Sequence, residues 1–172
     1  MNKIVKRIAV SVLCLFAASF VFAADKSLGI TADDVANYVK NYSQIKKEID
    51  NLGYNEKGNI REPTEEEIQK RDEILKNNGI SGPKRFEKTE RIFQYTQQVC
   101  AWDNDQITKE QAAQVRKACI DNGLNEKDLK VIEPKAKEVM AAYEKYTRSG
   151  NRESKLKDSL NLPSFNFKKK KK

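Results

Sequence analysis

Residues 30–53 read ITADDVANYVKNYSQIKKEIDNLG, and this stretch decides the fold class. Val35, Tyr42 and Ile49 alternate with Tyr38, Ile45 and Leu52 in a strict a/d heptad spacing, which places all six on one narrow stripe of a helix. Thr31 with Asp34 three residues on forms a capping box, Asp standing where Glu or Gln is usual. Ile30 and Val35 occupy the two positions of a hydrophobic staple. Gly53 follows as a C-terminal stop.

The same grammar recurs outward along the chain. Residues 53–63 form a polar loop, after which Thr64 and Glu67 open a second helix with acids in its first turn, where the helix dipole favours them. That helix runs past Ile68, Ile74 and Leu75 to the stop Asn77-Asn78-Gly79. Ser81-Gly82-Pro83 restarts the chain, with Pro83 expected at a first helical position. The third helix, about Lys84 to Trp102, carries Phe86, Ile92, Phe93, Tyr95, Val99 and Trp102. It has the widest apolar face in the protein and reads as the central helix. Thr108 and Gln111 box a fourth, with Ala112, Val115 and Cys119 inward, and Asn122-Gly123 ends it.

Asn125 with Asp128 begins the fifth helix, Leu124 stapling Leu129. Leu129, Ile132, Ala136, Val139, Tyr143 and Tyr146 keep helical spacing, and Pro134 predicts a kink or break near Ile132. Gly29-Ile30, Gly79-Ile80 and Gly123-Leu124 echo one another. A turn followed by a staple and a cap explains the echo without an internal duplication. No segment sustains strand alternation. The fold class is all-α: a small bundle of about five helices with a flexible basic C-terminal tail.

The first residues carry a different signal. Lys3, Lys6 and Arg7 precede an apolar run from Ile8 to Phe22, and Val21-Phe22-Ala23 places modest side chains before a cleavage point after Ala23. A retained membrane anchor is the alternative, although the run falls somewhat short of the ~20 apolar residues a span wants. Lipidation at Cys14 is rejected, because Leu13 stands where a small residue is required. The chain divides into a signal peptide at 1–23, a helical domain at 24–147 and a flexible lysine-rich tail at 148–172, with a linker-like stretch, Thr147 to Arg152, where the last two meet. It is expected to be exported to a periplasmic or extracellular space of bacterial type.

The 33 basic and 25 acidic residues give a net charge of +8, which invites a nucleic-acid reading. The distribution opposes it: Lys3, Lys6 and Arg7 leave with the leader, and Lys168, Lys169, Lys170, Lys171 and Lys172 form a terminal run. The body between them holds 25 basic and 25 acidic side chains, whereas a nucleic-acid-binding domain carries a basic face on the fold itself. No nucleic-acid partner is expected.

The chain has no histidine, which excludes Ser-His-Asp and Cys-His catalysis and removes the commonest zinc ligand. Cys100 and Cys119, the cysteines that follow the leader, cannot form a thiolate metal site and lack CxxC spacing. An even pair in an oxidising compartment is expected to be bridged, closing a loop of about 20 residues and contributing roughly 3 kcal/mol. Such a bridge requires the two helices to cross or the first to end early. Ser81-Gly82-Pro83-Lys84 matches the S-x-x-K pattern of serine β-lactamases and penicillin-binding proteins, but the SDN and KTG partners are missing, and a helix start accounts for it. Asp103-Asn104-Asp105 lacks the glycine and the terminal glutamate of a calcium loop. Neither a metal nor a cofactor is expected.

Ile107-Thr108-Lys109-Glu110-Gln111 resembles the L-T-x-x-Q motif of small periplasmic helical chaperones of the Spy and CpxP type. The resemblance covers five residues, with Ile for Leu, and implies a chaperone or stress-sensor module as the alternative function. The leading expectation is a non-enzymatic exported protein that serves as an interaction or structural component of an extracytoplasmic assembly, such as an envelope complex or filament coat. Candidate contact residues are Tyr38, Tyr42, Trp102, Tyr143 and Tyr146, together with Phe165 and Phe167 beside the five lysines. That last pairing suits an anionic, partly apolar envelope surface or an acidic partner.

Overall fold

The computed structural model describes residues 26–56 and 59–160, the side chains of 55–60 and 150–160 excepted. The leader, Phe165, Phe167 and Lys168 to Lys172 lie outside the described residues. The helices are α1 (Ala32–Asp50), α2 (Glu65–Asn77), α3 (Arg85–Trp102), α4 (Lys109–Asp121), α5 (Glu126–Ile132) and α6 (Ala136–Leu160). A 3-10 turn, Glu133–Lys135, joins the last two. α5 and α6 are the single run that Pro134 divides, so the all-α bundle of about five helices is the observed architecture. A two-residue ladder, β1 (Asn55–Glu56) against β2 (Asn59–Ile60), closes the polar loop between α1 and α2 as an antiparallel hairpin.

The caps form as the residue types dictate. Thr31, Thr64 and Thr108 each accept from the backbone N–H three residues on, and Asp34, Glu67 and Gln111 each reach back to the capping residue's own N–H. Two donors at each helix start that would otherwise lack partners are thereby satisfied, an arrangement worth about 1 kcal/mol per cap. The staples close as well: Ile30 with Val35, and Leu124 with Leu129, are all buried. Ile80, after Gly79, is buried too. The three echoed Gly–aliphatic pairs are thus three turns that hand a side chain to the core. At Gly79 the requirement is strict, for φ is +83° and a Cβ would lie 2.7 Å from Nδ2 of Asn37, the atom that donates to the Gly79 carbonyl.

α3 packs against α2, α4, α5, the 3-10 turn and α6, which makes it the central helix. Its inward stripe is Lys88, Thr89, Ile92, Tyr95, Thr96, Val99 and Trp102, while Phe86 and Phe93 are only half-buried at its edges. The Lys137–Asp103 ion pair and the Phe93–Tyr143 ring contact show α3 and α6 running antiparallel.

Two expectations need correction here. Pro83 precedes the helix and does not sit at its first position: Lys84 caps α3 in the left-handed region at φ 56°, with no side-chain cap bond, so helical geometry begins only at Arg85. The backbone is also helical straight through 147–152, where the composition reads as a linker. Arg148 pairs with Glu144 one turn back, and Gly150 costs only about 1 kcal/mol in a helix interior, so nothing there is strong enough to stop it. No helix among the described residues is long and apolar enough to cross a membrane.

Candidate functional site

Two carboxylates are fully withdrawn from water, and each sits at the third position of a helix with a cation from α3 against it. Asp34 of α1 is 0% exposed and Lys88 is 3% exposed. Lys88 Nζ donates to Asp34 Oδ2 at 2.9 Å and to the Ser81 carbonyl oxygen at 2.9 Å. The Ser81 N–H and hydroxyl both donate to Asp34 Oδ1, at 2.7 and 2.8 Å, and the Thr31 N–H donates to Oδ2 at 3.0 Å. One carboxylate therefore joins the start of α1, the α2–α3 turn and α3. Burial pushes its pKa upward, but the Ser81 N–H, the Lys88 ammonium, the Thr31 N–H and the Ser81 hydroxyl outweigh this and lower it to about 2.

The second node is built one turn further along α3. Arg91 Nη1 donates to Asp128 Oδ2 at 2.7 Å and to the Lys26 carbonyl oxygen at 2.6 Å. The Leu28 N–H and the Ser27 hydroxyl complete the Asp128 shell at 2.9 and 2.7 Å. Here too burial raises the carboxyl, and the Leu28 N–H, Arg91 and Ser27 overcome it and hold it below its ordinary value. The cap of α5 is shared out. Asn125 Oδ1 accepts from the Asp128 N–H, the Asn125 N–H donates to the Tyr95 hydroxyl, and the Asp128 carboxylate turns to the N-terminal segment.

The Asp34–Lys88 node is not arranged to activate the Ser81 hydroxyl as a nucleophile. Lys88 meets the Ser81 backbone oxygen and not its hydroxyl, and an ammonium held against a carboxylate cannot take a proton from serine. A carboxylate with a pKa near 2 is too weak a base for that task at neutral pH. Lys84, the lysine of the S-x-x-K pattern, is exposed. Asp103-Asn104-Asp105 is a polar turn, in which Asn104 bonds the Ala101 carbonyl and the Gln106 N–H and Asp103 pairs with Lys137. Among the described residues no three His, Cys, Asp or Glu side chains cluster as metal ligands.

Among the described residues, the tyrosine and tryptophan contact candidates pack against the body instead of forming an open face. Tyr38, Tyr42 and Trp102 are buried in the core, and Tyr143 and Tyr146 are half-buried against it. Tyr42 meets Tyr38, Tyr143 and Tyr146 edge-on, with ring centroids 5.2, 6.4 and 6.1 Å apart, and the Tyr146 hydroxyl donates to Asp50 at 2.7 Å. The seams of α1 and α6 face each other, so their tyrosines form the contact between helices. Burial first, then the neighbouring hydroxyls and the Asp50 and Glu90 carboxylates, pushes the Tyr42 phenol up to about 12.

Cys100 is half-buried and Cys119 is buried, and the structure does not join the two to each other. Cys100 lies at the end of α3 beside the turn, and Cys119 lies about 15 Å along α4 from its start. Burial and the Asp103 carboxylate raise the Cys100 thiol, against the pull of Lys137. A half-open cavity of about 250 Å³ lies between the end of α3, α4 and the 3-10 turn, lined by Val99, Trp102, Asp103, Ala112, Ala113, Arg116 and Glu133. Arg116 Nε holds both Glu133 oxygens, at 3.1 and 3.2 Å. The cavity thus offers apolar side chains beside charges that are already paired, Arg116 with Glu133 and Asp103 with Lys137.

Neither node belongs to a local motif, but the sequence carries one signal of the first. Lys88 falls on the same helical stripe as Ile92, Tyr95 and Val99, and a lysine on a core stripe calls for a buried partner. Thr108 and Gln111, which carry the chaperone resemblance, are occupied by capping. No protein-family model, curated protein or solved structure matches the chain.

Proposed function

We propose that this chain is an exported, non-enzymatic helical protein that acts as an interaction or structural component of an extracytoplasmic assembly. The observation that carries this reading is the use made of the buried charges. Asp34, Lys88, Arg91 and Asp128 are the groups whose burial would mark a reactive centre, and all four are occupied in tying helices and the N-terminal segment together. The basic n-region and apolar run before Ala23 support export. The direction of α6 supports contact through the C-terminal end. Tyr146 bonds α1 through Asp50, whereas Thr147, Arg148 and Ser149 have their hydrogen bonds within α6. The helix then continues to Leu160, toward Phe165, Phe167 and the five lysines.

Crosslinking in intact cells, followed by identification of the adducts, tests this reading. A discrete set of protein adducts is expected for the full chain, with loss of most of them on deleting Lys168 to Lys172. Adducts that are unchanged by the deletion would remove the tail from the contact. The absence of adducts at any crosslinker length would overturn the proposal.

A further inference from the structure

The cavity between the end of α3, α4 and the 3-10 turn runs from solvent into the core. Val99 and Trp102, which line it, are each 3% exposed, whereas Ala113 is exposed and Arg116 and Glu133 are half-buried. Ala112 and Ala113 stand in succession on α4 and carry nothing beyond Cβ, which leaves the space open. Its volume of about 250 Å³ falls below the roughly 300–1,000 Å³ of sites for drug-sized ligands. An occupant of this size is one ring or one branched chain with a small polar end. Apolar surface buried against Val99 and Trp102 favours its entry, and an indole takes an aromatic ring edge-on or offset.

Arg116 selects the polar end. Glu133 takes its hydrogen bonds from Nε alone, at 3.1 and 3.2 Å, and among the described residues Nη1 and Nη2 have no acceptor. Gripped at Nε, the guanidinium is held in place while its outer fork stays open. That fork only donates, and its parallel N–H groups match the oxygens of a carboxylate. Asp103, which also lines the cavity, is paired with Lys137 at 2.9 Å, so the two ion pairs cancel. Retention therefore depends on the fork and on apolar contact, with no net charge to draw the ligand in. We propose that this cavity binds a small apolar monocarboxylate, its ring or branched chain against Val99 and Trp102 and its carboxylate on Nη1 and Nη2 of Arg116.

Trp102 is the only tryptophan in the chain, so its emission and its indole N–H resonance report on the cavity directly. Titrating the full chain with hydrocinnamate should change both signals saturably. Hydrocinnamyl alcohol, which has the same ring without the carboxylate, should bind about tenfold more weakly or worse. Arg116→Lys keeps the charge beside Glu133 and loses the fork. It should weaken hydrocinnamate about tenfold and leave the alcohol unchanged. Ala112→Leu fills the space and should abolish binding of both, with circular dichroism and an unshifted urea midpoint showing that the body is still folded. An acid that binds no better than the alcohol would overturn the proposal. So would a hydrocinnamate titration that Arg116→Lys or Ala112→Leu leaves unchanged, or the lack of a saturable response in both signals.

Discussion

The two nodes on α3 follow one design and do different work. In each, a carboxylate at the third position of a helix meets a cation from α3, with Lys88 and Arg91 three residues apart on the same face. Around Asp34 the partners come from α1, the α2–α3 turn and α3, all inside the body, and neither charge reaches water. Around Asp128 the partners are Ser27, Leu28 and, through Arg91, Lys26. Arg91 keeps 11% of its side chain exposed. The first node ties helices to one another, and the second ties the segment Lys26–Leu28 to α3 and α5. A buried pair contributes little net stability over apolar side chains of the same shape, but breaking one half of it is costly. The two nodes should therefore fail differently.

The largest expected effect is at Lys88. Lys88→Met leaves Asp34 charged and buried without its cation, and should cost about 3–5 kcal/mol of global stability by urea titration. Adding Asp34→Asn should recover a large part of that loss, because the stranded charge is gone. Asp128→Asn should cost less, about 1–3 kcal/mol, and its signature should be local. Hydrogen exchange at the Leu28 amide should accelerate while the amides of Ile92 and Tyr95 remain protected. Global destabilisation equal to that of Lys88→Met would erase the distinction between the nodes.

The acid limb of the stability curve sharpens the same comparison. The Asp34 carboxyl is depressed from 3.8 to about 2 on folding. Its contribution, about 2 kcal/mol, is fully present above the unfolded value and is lost as pH falls through about 2. Urea midpoints taken between pH 5 and pH 2 should fall for the wild type and fall less steeply for Asp34→Asn. At the small end, Thr108→Ala removes a cap on the peripheral helix α4 and should cost about 1 kcal/mol.

What the sequence reveals and what it hides divide along physical lines. Helix starts are local: Thr31 with Asp34, Thr64 with Glu67 and Thr108 with Gln111 declare themselves within four residues. The break at Pro134 follows from one missing N–H. Partners distant in sequence are not declared. Asp34 can be read as a cap, but nothing near it says that Lys88 will arrive from 54 residues away. The tyrosines of α1 and α6 read equally well as a docking face or as packing until the two seams are seen to meet each other. Residue type alone puts Pro83 at a first helical position, whereas the left-handed Lys84 decides where α3 starts. Of the candidate contact residues, Phe165, Phe167 and the five lysines stand beyond the described residues, and it is to them that α6 leads.

The most direct test of the account is whether the buried charges serve the fold alone. The Asp34→Asn/Lys88→Met double variant, shown by circular dichroism and a cooperative urea transition to be folded, should be crosslinked in intact cells beside the wild type and the tail deletion. The account predicts the wild-type adducts from the double variant and their loss from the deletion. A folded double variant that loses its adducts would contradict it, and would make the Asp34–Lys88 node itself the functional site.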